Sequence, residues 1–177
     1  MKLARAGFTL IEAVTTMTIV AVLVAISAPI VASSVDGYAA AATRGELAVA
    51  QSAALERIAC EVRDIPLRSG VSTAAPAIES VGPGSITWST NSSLSQVGTT
   101  LRLTLGGSTP RTLLTDVESF AIQAFDEDNA SLGGSLSGDS CDAIRRLSFT
   151  VTTARGGVSE TMRTRCFLRC TMSGAAP

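Results

Sequence analysis

Residues 7–28 read Gly-Phe-Thr-Leu-Ile-Glu-Ala-Val-Thr-Thr-Met-Thr-Ile-Val-Ala-Val-Leu-Val-Ala-Ile-Ser-Ala. From Phe8 to Ala28 this is an apolar run broken by one charge, Glu12. At about 1.5 Å per residue, such a run spans about 30 Å as a helix, the hydrocarbon thickness of a bilayer. The short leader before it carries Lys2 and Arg5. A basic flank of this kind keeps an N-terminus on the cytoplasmic side. A secretory signal peptide is the competing reading, because Ser27, Ala28, Ala32 and Ser33 offer small residues for cleavage.

Glu12 argues against that competitor. A carboxylate in an apolar helix is unfavourable by about 2.5–3.5 kcal/mol at the bilayer centre, and by less near the interface. The apolar run supplies no positive partner for it. A partner from another chain would resolve the charge.

The string Gly7-Phe8-Thr9-Leu10-Ile11-Glu12, after a short basic leader and before an apolar helix, resembles the processing motif of type IV pilins and type II secretion pseudopilins. The resemblance implies a leader of residues 1–7, cleaved between Gly7 and Phe8 by a prepilin peptidase/methyltransferase that also N-methylates Phe8. It implies that Glu12 pairs with the terminal amine of a neighbouring subunit during assembly. Pro29 matches a proline often found in the pilin helix, where it can kink the helix by removing one ladder hydrogen bond. The implied partners are other pilins or pseudopilins in a filament, an inner-membrane assembly platform and membrane lipid. The implied location is the bacterial inner membrane, with a periplasmic domain, and then the pilus or pseudopilus.

After Pro29 the chain stays helix-friendly to about Ile65. Leu47, Ala54, Leu55, Ile58, Val62 and Ile65 recur at helical spacings and predict one apolar face, with Arg57 and Glu61 as an i,i+4 pair. Pro66 disfavours helix at Ile65. The reading is one long helix from Phe8 to about Ile65: residues 8–29 membrane-embedded, residues 30–65 amphipathic. Two helices broken at Pro29 or Gly37 are the alternative.

Residues 66–177 form a separate sheet domain in this reading. Ser85–Ser89, Thr100–Leu105, Arg111–Thr115, Val117–Phe125, Leu147–Thr152 and Val158–Met172 read as strands. Asp126–Ser140 reads as a loop, and Gly156-Gly157 as a turn. A helix followed by strands gives an α+β fold with a mainly antiparallel sheet of four to six strands. The segments Leu113–Asp128 and Ala143–Phe149 are similar in texture to J-type minor pseudopilins and related minor pilins. That resemblance implies a minor, tip-associated subunit. Glu12 disfavours the K-type subunit, which typically lacks the motif glutamate.

The remaining residues limit the chemistry. The 177-residue chain has a net charge of −1 and no histidine, so histidine-based triads and most zinc hydrolase patterns are excluded and neither nucleic acid nor a cofactor is expected. No enzyme activity is expected. Cys60, Cys141, Cys166 and Cys170 are candidates for disulfides in an oxidising compartment. Cys166 and Cys170, about 13 Å apart if on one strand, are too distant to join each other. One would join Cys60 and the other Cys141, with the choice open. Reduced thiols are the alternative; the spacing does not suit a zinc site. Asp126, Asp128 and Asp139 are weak calcium candidates in an acidic stretch that also reads as a solvated loop. Arg145, Arg146, Arg163, Arg165 and Arg169 would carry any binding role, such as DNA uptake, adhesion or capture of a secreted substrate.

Overall fold

The computed structural model describes residues 9–69, 75–89 and 91–171. It has one α-helix, α1 (Leu10–Arg63), then β1 (Ile78–Gly82), β2 (Ser85–Trp88), β3 (Ser92–Val97), β4 (Thr100–Thr104), β5 (Arg111–Leu114), β6 (Val117–Phe125), β7 (Leu136–Ser137), β8 (Arg146–Arg155) and β9 (Val158–Phe167). The fold is α+β, with a long N-terminal helix packed on antiparallel sheets. The chain divides into two compact units, Met1–Ala42 and Thr43–Pro177.

In the first unit, α1 is assigned without a break through Pro29 and Gly37, so the two-helix alternative is not realised. Its apolar side chains from Leu10 to Val35 are exposed all round. Its hydroxyls bond back to the helix's own carbonyls: Thr15 to Ile11 at 2.9 Å, Thr16 to Glu12 at 2.9 Å, Thr18 to Val14 at 2.8 Å and Ser34 to Ile30 at 2.8 Å. That self-satisfaction lets a segment with several hydroxyls sit in an apolar solvent.

In the second unit, Leu47, Ala54, Leu55, Ile58, Val62 and Ile65 are all buried, the stripe expected from spacing. Arg57 and Glu61 pair on the outer side. The helix stops at Arg63, three residues before Pro66. The strands form two sheets, not one: a six-stranded sheet in the order β5-β4-β3-β2-β1-β7 and a three-stranded sheet in the order β6-β8-β9. The helical stripe, Ile78, Ile86, Trp88, Leu94 and Leu101 of the first sheet, and Phe120, Leu147, Phe149 and Val151 of the second share one core. Phe120 and Phe149 stack with ring centres 6.2 Å apart.

Several boundaries differ from expectation. β1 and β3 were not anticipated, because each gives the core only one or two apolar residues between serines. The expected loop Asp126–Ser140 contains β7 and the start of a 3₁₀ turn, Gly138–Cys141. The last strand ends at Phe167, and a second 3₁₀ turn, Arg169–Thr171, follows. The Gly156-Gly157 turn forms as expected: both residues have positive φ, +58° and +80°, which suits a two-residue hairpin.

Candidate functional site

The site begins where α1 begins. The carbonyl of Thr9 accepts the amides of Glu12 and Ala13, both at 3.1 Å, closing the first turn. Glu12 sits in that turn, exposed, where the positive end of the helix dipole favours a carboxylate. It makes no ion pair among the described residues. The next charged residue along the helix is Asp36. Between them lie Val14, Met17, Ile19, Val20, Leu23 and Ile26, all exposed. The helix is long and apolar enough to cross a membrane, and its most apolar window is wholly unburied. An exposed apolar surface of this extent marks a site of contact with lipid or with other chains. Gly7 and Phe8, the expected cleavage and methylation residues, lie outside the described residues.

The other predicted residues fall in separate places. Cys60 is exposed on α1, Cys141 is buried in the first 3₁₀ turn, Cys166 is buried on the inner face of β9, and Cys170 is half-buried in the second turn. No disulfide is found among the described residues, so the expected cross-links are not seen there. Burial pushes the thiols of Cys141, Cys166 and Cys170 above the ordinary range; Arg68 partly offsets this at Cys141 and Arg63 at Cys166. Asp126 and Asp128 flank Glu127 in the loop after β6, while Asp139 instead pairs with Arg68 at 3.4 Å. No group of three acidic or thiol side chains suited to a metal comes together among the described residues.

The arginines organise one end of the three-stranded sheet. The Arg146 guanidinium lies 4.8 Å from the Phe167 ring centre, and that of Arg165 lies 4.7 Å from Phe125. Arg146 also donates to Asn129 at 2.9 Å. Arg163 donates to Ser148 at 2.7 Å.

Two structural residues escaped sequence reasoning. Gln51 is fully buried in the helical stripe, and its amide nitrogen donates to Thr153 Oγ1 and the Glu160 carbonyl, both at 2.9 Å. Its place at i+4 from Leu47 was the available signal; its polarity hid it. Arg68 donates to the carbonyls of Ile78 at 3.1 Å and Gly138 at 3.2 Å, and pairs with Asp142 at 3.0 Å. Nothing local in the sequence indicates that clamp.

Fold and site together define a class: an α+β domain on a helix whose apolar first half is unburied and carries one carboxylate in its first turn. Residues 2–28 match the family model described as the prokaryotic N-terminal methylation motif. The match supports the type IV pilin and pseudopilin superfamily, whose members are processed by a prepilin peptidase. A search of curated proteins finds no match to the chain.

Proposed function

We propose that the protein is a structural subunit, of the minor type, of a type II secretion pseudopilus or type IV pilus. The observation that carries this reading is Glu12: a lone carboxylate in the first turn of an apolar, unburied helix, inside a matched methylation motif. The helix stores the subunit in the inner membrane, with the sheet domain on the periplasmic side. Leader removal after Gly7 creates a new amine on Phe8. That amine, on one subunit, neutralises Glu12 of its neighbour and sets the register as the helices pack into a filament. The pairing draws its strength from low local dielectric, where unlike charges attract far more than in water. Pro29 has no N–H to offer the carbonyl of Ala25, so α1 can bend there as subunits pack.

The decisive experiment is mass spectrometry of the protein recovered from its native membrane, paired with Glu12→Ala. The mature N-terminus is expected to be an N-methylated Phe8. The substitution is expected to leave leader cleavage intact and to remove the subunit from filaments. An N-terminus near residue 33, or normal incorporation of Glu12→Ala, would overturn the reading.

A further inference from the structure

The ten-residue strand β9 ends its sheet, with β8 on one side and no strand on the other among the described residues. The hydrogen-bond alternation shows which backbone groups are left over. Ala154 of β8 donates its N–H to Asp116, on the β6 side, at 2.9 Å. The residue opposite it, Ser159, therefore turns its own N–H and carbonyl away from β8. By the same alternation Thr161, Arg163, Arg165 and Phe167 do so too. This is a long, regular row of unsatisfied donors and acceptors, and sheet edges of this kind accept another strand.

Two further features say what kind of strand. Arg163 and Arg165, both exposed on β9, lie back over the sheet, Arg163 on Ser148 and Arg165 over the Phe125 ring. Neither makes an ion pair among the described residues, so both charges stay uncompensated beside the edge. On the face toward the helix, a groove of about 390 Å³ runs between β9 and α1; Leu55, Ala59, Cys60 and Met162 form its apolar part, and Glu56 and Arg63 line it as well. A strand laid along β9 would place alternate side chains beside the arginines and over this groove. We propose that the β9 edge is a docking strand for an extended segment of another polypeptide, in which acidic residues alternate with small apolar ones. Backbone pairing supplies affinity, and the arginines and groove supply selectivity. A polynucleotide lacks the matching ladder of donors and acceptors.

The test uses the full chain in detergent micelles. The probe is an end-blocked, fluorescent peptide of alternating glutamate and valine, about nine residues long to match the strand. Saturable binding is expected, with slowed hydrogen exchange at the amides of Ser159, Thr161, Arg163 and Arg165. Thr161→Pro removes an outward N–H and spares the backbone ladder to β8, losing there only the 2.9 Å hydroxyl contact with Thr152, and is expected to weaken binding about tenfold or more. Arg163→Glu is expected to weaken the glutamate peptide and to favour its lysine counterpart, a readout available even where the proline variant misfolds. Absence of saturable binding would overturn the proposal. So would unchanged binding by a folded Thr161→Pro, or competition by an oligothymidylate as effective as the unlabelled peptide. The outcome does not depend on Glu12 or Phe8, so it stands apart from the filament reading.

Discussion

Replacing Gln51 separates packing from hydrogen bonding at the contact between α1 and the sheets. The amide nitrogen of Gln51 serves Thr153 Oγ1 and the Glu160 carbonyl, with the Val151 carbonyl at 3.5 Å. Its Oε1 is buried without a hydrogen-bond partner among the described residues. Gln51→Ala removes two good hydrogen bonds, each worth about 1 kcal/mol, and leaves a hole in the core. With the cavity included, the expected loss is about 2–4 kcal/mol. Gln51→Leu fills the same space and removes the stranded oxygen, whose burial is unfavourable by about 1–3 kcal/mol. That gain offsets most of the lost bonding, so the leucine variant should stay within about 1.5 kcal/mol of the parent. The assay is urea unfolding of the full chain in detergent, followed by the fluorescence of Trp88, the single tryptophan and a core residue. A loss of 3 kcal/mol moves the midpoint by about 1–3 M. An alanine variant within about 1 kcal/mol of the parent, or a leucine variant as damaged as the alanine one, would refute the reasoning.

Three further outcomes follow from the same structure. At pH 8 a maleimide should modify exposed Cys60 first and reach Cys141 and Cys166 only as the domain unfolds; equal rates would contradict their burial. Because burial raises the folded-state pKa of those two thiols, the unfolded chain loses their protons first as pH rises. Stability should therefore hold below the ordinary thiol range and decline above it, a slope that Cys141→Ala and Cys166→Ala should flatten in pH-dependent unfolding. Gly157, at φ +80°, should lose about 1–2 kcal/mol on substitution by alanine, and an unchanged urea midpoint would count against the tight hairpin.

The parts legible from sequence are those with a regular period or a rigid local signal. The stripe from Leu47 to Ile65 follows a helical period, Gly156-Gly157 marks a turn, and Leu147, Phe149 and Val151 alternate as a half-buried strand does. The Glu12 motif is legible because a charge in an apolar run has few explanations. β1 and β3 were not legible, because their serines and few apolar residues give too weak an alternation. The division into two sheets was hidden because alternation says which side chains point inward, not which sheet they share. Gln51 and Arg68 were missed for a related reason: their partners lie up to 109 and 71 residues away. Nothing in the neighbouring sequence encodes those meetings.

The distance from Gln51 to its partners also sets a timetable. The helix is made first, and Val151, Thr153 and Glu160 follow 100 to 109 residues later. At typical synthesis rates that interval is roughly 5–20 s. The β8–β9 hairpin, built from neighbouring residues across a two-residue turn, closes in about 1–10 μs once it exists. Docking the helix against the three-stranded sheet is therefore the late event, and for those seconds the stripe from Leu47 to Val62 has only the strands β1 to β5 to lie on as they emerge. Until β8 and β9 arrive, the part of the stripe that they cover stays open to its surroundings.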